Sequence, residues 1–228
     1  MNSVSVIIPA YNEEKTLKET VLGAMKVLSK LKVDYEIIII NDGSTDGTRG
    51  EADSLKKNKR ILVLHHKKNE GFGKTIKDGI HAARKEFITG LPGDNDTSPR
   101  LLLDLIERKN EADLIIAYME NPEERSVLRR LLSFVFVIIM NLTFGLGLAY
   151  YNSYFICRRK LLNQIRLRSK SFSIFAEAKV KLIKSGASYR EIPFQHMARK
   201  YDRSKAVGIK SFANIVEMYF GLIKDIYF

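Results

Sequence analysis

Residues 86–96 read Glu86-Phe-Ile-Thr-Gly-Leu-Pro-Gly-Asp-Asn-Asp96. The first part is a short apolar run of strand length, and Pro92-Gly93 closes it as a turn. Asp94 and Asp96 then stand two residues apart on a loop beyond the strand end, a spacing that lets both carboxylates face one hard cation. Magnesium and manganese take one or two protein carboxylates and fill the rest of their shell with water and substrate phosphates. A cation held this way neutralises charge developing on a nucleotide diphosphate leaving group. Asp and Asn are also ordinary turn formers, so the pair gains its meaning from the segments that precede it.

Upstream lies Val4-Ser-Val-Ile-Ile-Pro-Ala-Tyr-Asn-Glu-Glu14, a β-branched run ending at Pro9. A helical pattern follows from about Glu13, with Leu17, Val21, Met25 and Leu28 at helix spacing. A strand-to-helix turn of this kind is where α/β proteins bind ligands. Pro9, Tyr11, Asn12 and Glu13 are therefore candidate nucleotide contacts, with Tyr11 able to stack on a base. The next strand, Tyr35-Glu-Ile-Ile-Ile-Ile-Asn-Asp-Gly-Ser-Thr-Asp-Gly-Thr48, is continuously apolar, as for a sheet covered on both faces. Asp42 at its tip can accept the ring N–H of uracil or guanine, or simply form a turn with Gly43; Asp46 reads as a helix cap. The segment Asn69-Glu-Gly-Phe-Gly-Lys-Thr-Ile-Lys-Asp-Gly79 follows the strand Ile61–His65 and enters a helix. Its backbone amides and Lys74 suit a diphosphate.

These segments, in this order, resemble the family 2 glycosyltransferases of the GT-A fold. The likeness implies an α/β chain with a Rossmann-like, mostly parallel central sheet flanked by helices. It covers the first half closely. Residues 1–118 are then the nucleotide and metal half, with Asp94, Asn95 and Asp96 at the diphosphate and Mg2+ or Mn2+ held by Asp94 and Asp96. Residues 119–228 form the acceptor half of the same single domain.

At 228 residues the chain is long enough for a full core, and 45% hydrophobic with 28% charged residues is ordinary for a globular protein. Cys157 is the only cysteine, which excludes an intrachain disulfide and fits a reducing cytoplasm. The first strand begins at Val4, so no signal peptide is expected. The net charge of +12 points to an anionic partner, whether sugar nucleotide, lipid phosphate, anionic membrane or nucleic acid. Many of the lysines also read as a plain solvated face. The histidines have no metal-ligand spacing, and His65 and His66 merely end a strand.

From Leu131 to Cys157 no residue is charged. The run qualifies by length as a membrane span. A span would put residues 158–228, which carry parts a single active site needs, across the bilayer from the nucleotide site. Asn141, Gly145, Gly147 and Asn152 divide it instead into a helix, a turn and a strand around Ser153–Arg158. The expectation is an amphipathic helix lying in the membrane interface, with a buried core helix as the alternative. The C-terminal stretch Ile209–Phe228 reads as a helix too charged to span.

This layout is similar to that of the polyprenyl-phosphate hexose synthases, such as dolichyl-phosphate mannose synthase. Arg129-Arg-Leu-Leu-Ser133, Phe155-Ile-Cys-Arg-Arg-Lys160, and Glu191-Ile-Pro193 with Arg199 and Arg203-Ser-Lys205 match their acceptor-half motifs. Ala117-Tyr-Met-Glu120, Ala149-Tyr-Tyr-Asn-Ser-Tyr154 and Asp202 depart from them. The resemblance implies metal-dependent, inverting transfer of a hexose from a GDP- or UDP-linked donor to a polyprenyl phosphate on the cytoplasmic face of a membrane. Asp96, Arg129, Arg130 and Arg199 are the catalytic candidates, and Ser133, Ser204 and Lys205 would meet the acceptor phosphate. A phosphate acceptor is already ionised and needs no general base. A saccharide hydroxyl acceptor would need one, for which Glu177 and Glu191 are the candidates. A non-catalytic basic protein binding nucleic acid or membrane is a third class. The Asp94/Asp96 pair and Asp42 argue against it, and no nucleic-acid partner is expected.

Overall fold

The computed structural model describes residues 2–94, 99–120, 126–194 and 209–228. Its centre is β1 (Ser3–Ala10), buried along its whole length because Val4, Val6 and Ile8 face one layer and Ile7 the other. β2 (Asp34–Asn41) and β4 (Phe87–Gly90) lie parallel on either side of it. β3 (Ile61–His65), β5 (Leu114–Met119), β6 (Phe155–Arg158) and β7 (Tyr189–Phe194) complete a seven-stranded sheet in the order β3-β2-β1-β4-β6-β5-β7. Only β6 runs antiparallel to its neighbours, so the expected mostly parallel α/β sheet is what the chain forms. β7 carries Pro193 and sits at the sheet edge, where a strand tolerates a missing N–H.

Two helical layers cover the sheet. On one face pack α1 (Leu17–Lys30), α2 (Thr48–Leu55) and α4 (Pro99–Arg108), through Leu17, Val21, Leu28, Ala52, Leu102 and Leu105. On the other lie α3 (Phe72–Ala82), α5 (Val127–Phe144), α6 (Arg159–Leu162), α7 (Ile174–Lys184) and α8 (Ile209–Tyr227). Strand tips β1, β2 and β4, together with the start of β6, therefore meet at one edge.

α5 begins four residues before Leu131 and stops at Gly145, whose left-handed φ of 59° ends the helix. Asn141, expected to interrupt the apolar run, lies inside the helix. Its side chain organises the following turn, binding the Leu148 amide and carbonyl and the Tyr151 hydroxyl. The helix is long and apolar enough to cross a membrane, yet only Met140 and Phe144 of it are buried. Phe134 is 63% and Leu142 80% exposed, so this is not a core helix. α8 is anchored beside it: Tyr219 and Tyr227 flank Phe144, and both hydroxyls bond Thr143.

Candidate active site

A cleft of about 430 Å3 opens at the carboxyl edge of the sheet. Pro9, Tyr11, Asn12, Glu13, Asp42 and Asp94 all line it, so six of the expected nucleotide contacts share one cavity. The segment Asn69–Gly79, expected there through its backbone amides, contributes Asn69, Gly71 and Phe72, whereas nothing in the sequence assigns Tyr154 and Phe172 to the cleft wall. Tyr154 and Phe172 reach it from the second half of the chain. Phe172 stacks on Phe72 with ring centroids 3.8 Å apart, and both Phe72 and Tyr154 rest on Phe175.

The loop after β1 is held by hydrogen bonds to the loop after β2. Asn12 takes a positive φ of 58°, which Asn tolerates better than most residues. From there its amide donates to Ser44 Oγ at 3.0 Å, and its Oδ1 accepts the Thr45 amide at 2.9 Å. The Glu13 amide donates to Thr48 Oγ1, and Glu14 accepts the Gly47 amide. Asp46 caps α2 from one position before the N-cap, accepting the Thr48 amide and hydroxyl. Burial works to raise its carboxyl, but these hydrogen bonds outweigh it and hold the group below the ordinary range.

Asp42 is engaged before any ligand arrives. Its Oδ1 accepts the Glu70 amide at 2.8 Å and lies 2.7 Å from His66 Nδ1, while Oδ2 accepts the Gly71 amide at 2.9 Å. Gly71 turns there at φ 93°, a conformation that favours glycine. A carboxylate offers about four lone-pair positions, so a free one remains for a base N–H. The other ring nitrogen of His66 is 2.9 Å from Asp78, and Asp78 holds Lys74 at 2.7 Å. This pairing raises the Lys74 ammonium above its ordinary value. Lys74 is turned to Asp78 and is not part of the cleft lining.

On the Asp94 side, a side chain at Gly93 would meet the Pro9 carbonyl at 2.7 Å, so glycine is required for the loop to pass this close. The Gly93 carbonyl is clasped by the Thr16 and Thr20 hydroxyls, which fixes the approach to Asp94. Among the described residues no group of three or more acids, histidines or cysteines forms a closed metal cage. One or two carboxylates with open positions is the donor set that magnesium or manganese accepts. Asn95, Asp96, Arg199, Ser204 and Lys205 lie outside the described residues.

Arg129, Arg130 and Ser133 sit on the first turns of α5 and do not line the cleft. Neither candidate base does so either. Glu177 is buried, paired with Lys181 at 2.8 Å, and accepts the Arg168 and Ser169 amides. Glu191 accepts the Ala149 amide, and its burial raises the carboxyl above the usual range.

Residues 5–175 match the model of a family described as glycosyl transferase family 2. An uncharacterised glycosyltransferase of Synechocystis is 32% identical over 116 residues, half of this chain and 36% of that protein. The undecaprenyl-phosphate 4-deoxy-4-formamido-L-arabinose transferase of Salmonella choleraesuis is 24% identical over 98% of this chain. The match covers 67% of that relative, so the chain spans between about a third and two thirds of these relatives' lengths. Among solved structures, glucosyl-3-phosphoglycerate synthase from Mycobacterium tuberculosis, in complex with Mg2+ and UDP, superposes with a TM-score of 0.76 at 15% identity. That superposition covers 97% of this chain and 79% of the other, and shows a shared fold.

Proposed function

Because the chain belongs to glycosyl transferase family 2, we propose that it moves a sugar from a nucleoside diphosphate to a polyprenyl phosphate, with inversion. The observation that carries this reading is the link between cleft and helix. Tyr151 packs on Phe136 of α5 and bonds Asn141, and three residues later Tyr154 lines the cleft. An acid-lined nucleotide cavity thus adjoins a helix whose apolar face is uncovered. The activity of the Salmonella relative on undecaprenyl phosphate supports the same acceptor class. An oxygen of the acceptor phosphate attacks the anomeric carbon, the bond from that carbon to the diphosphate breaks, and nucleoside diphosphate departs. No proton need be removed, which accords with Glu177 and Glu191 both being tied to backbone amides outside the cleft.

In this reading Tyr11, Asn12 and Asp42 hold the base side of the donor, and Asp94 with Asp96 would hold Mg2+ or Mn2+. The bound cation would offset charge on the diphosphate. Arg129, Arg130 and Arg199 would bring positive charge to the acceptor phosphate, for which the guanidinium fork is suited. The protein would work as a peripheral enzyme, α5 lying in the interface on the cytoplasmic side.

The test is incubation with UDP- and GDP-sugars, Mg2+ or Mn2+, and either polyprenyl phosphate or free saccharides. Sugar bound to lipid phosphate with inverted anomeric configuration is expected. Transfer only to a saccharide hydroxyl would overturn the acceptor assignment.

A further inference from the structure

We propose that a second pocket, walled by the C-terminal parts of α7 and α8, binds the phosphate of an anionic lipid headgroup, apart from the nucleotide cleft. This rests on the reading of α5 as an interfacial helix and adds a specific partner to it. The pocket has a volume of about 450 Å3 and is walled by Arg166, Arg168, Lys181, Lys184 and Asp225. It adjoins the last turn of α7. The cleft residue Phe172 lies before the first turn of that helix, and eleven helical residues span about 16 Å.

Its floor is a fixed ionic frame. The buried Lys181 ammonium donates to Glu177 at 2.8 Å, to Asp225 at 2.7 Å and to the Arg166 carbonyl at 2.6 Å. Arg168 shares Asp225 at 2.9 Å. Burial works to raise the Asp225 carboxyl, but Lys181 and the arginines outweigh it and hold the group below the ordinary range. The cations of this frame and wall outnumber its two carboxylates by two. The excess lies on Arg166 and Lys184, which are exposed and form no salt bridge among the described residues, Arg166 reaching Asp225 only at longer range.

Cations on a flat surface need no ligand, since water satisfies them. Here they rim a cavity, and the cavity opens beside apolar surface. Lys184 donates to the Phe144 carbonyl at the end of α5, and Tyr227 at the end of α8 and Phe228 after it are 50% and 99% exposed. Arg129 and Arg130 stand toward the other end of α5, about 22 Å from Phe144 along the helix. An exposed apolar helix with cations at both ends fits a bilayer surface, which supplies acyl chains and phosphates together. A second copy of a chain carrying +12 would bring like charges together at the same place.

The experiment compares partition onto vesicles of phosphatidylglycerol in phosphatidylcholine with partition onto phosphatidylcholine alone. Wild-type protein is expected to prefer the anionic vesicles. The double change Arg166→Ala/Lys184→Ala is expected to weaken that binding about twenty-five-fold, at about fivefold per basic residue near an anionic surface. Lys18→Ala/Lys26→Ala, exposed on α1 across the sheet, removes the same charge and should change it less than threefold. Equal losses in the two double variants would reduce the pocket to general charge and overturn the proposal. Titration with glycerol 3-phosphate separates the sources: binding abolished by Arg166→Ala/Lys184→Ala would replace the lipid by a free phosphate and overturn the lipid assignment. Nucleoside diphosphate binding by the same preparations serves as the folding control. If wild type binds neither vesicle, the interfacial reading of α5 fails as well; if it binds both vesicles alike, only the pocket assignment fails.

Discussion

Asp42 shows how much one side chain can be asked to do. It bonds two backbone amides and His66, so it shapes the loop around Glu70 and Gly71 as well as facing the cleft. Asp42→Asn keeps the size but loses the charge that strengthens these bonds. Hydrogen bonds to charged groups are worth ~1.5–3 kcal/mol, so nucleoside diphosphate affinity should fall about tenfold or more. His66→Gln, whose amide donates toward one carboxylate at a time, should weaken it by a smaller factor. Calorimetric titration of both variants checks this, and unchanged affinity in both would confine Asp42 to a structural turn. Asp94→Ala or Asp96→Ala should abolish metal-dependent binding and transfer while leaving the thermal transition in place, because in the sequence both follow the Pro92-Gly93 turn signal. Asp42 and Asp94 were legible as cleft residues because each sits beside a turn signal at a strand end. The part played by His66 was not: its partners lie 24 residues before and 12 residues after it, and only the folded sheet brings them together.

At the scale of elements, the first half was readable because its strands are unbroken β-branched runs and its helices keep a regular stripe. The second half was harder, since an apolar run does not say where it folds back or which face is covered. Lys179 is a case in point, a charged letter on α7 that lies wholly buried. Its Nζ is 2.7 Å from both the Tyr151 carbonyl and Ser153 Oγ, so it holds the segment that leads to Tyr154. Burial depresses its basicity well below the ordinary lysine value, against the opposing pull of Glu191. With a depressed folded-state value, the unfolded chain binds the extra proton across the interval up to about 10.5, and stability therefore rises with pH there. Between pH 7.5 and 9.5 the urea midpoint of wild type should rise relative to that of Lys179→Met. Parallel midpoints would mean that the buried lysine keeps its charge.

For the whole molecule, the halves differ in what they leave exposed. One continuous sheet joins them, and the cleft takes walls from both, since Phe172 and Tyr154 close a cavity whose acids come from residues 9–94. Among the described residues the long uncovered apolar face belongs to the second half, with Leu131, Phe134, Ile138 and Leu142 at 40% exposure or more. If that face meets lipid, its side chains matter for reaching the acceptor and little for folding. Phe134→Ser/Ile138→Ser/Leu142→Ser should then keep its unfolding midpoint within about 1 kcal/mol of wild type, as expected for surface changes. Nucleoside diphosphate affinity should also be kept. Transfer to a long-chain polyprenyl phosphate in vesicles should fall by at least tenfold. Transfer to a short, water-soluble prenyl phosphate should be retained, because the chemistry lies in the cleft and the helix only brings the lipid to it. Equal loss on both acceptors would place the α5 face in the catalytic machinery, and no loss on either would leave it without a role at the membrane.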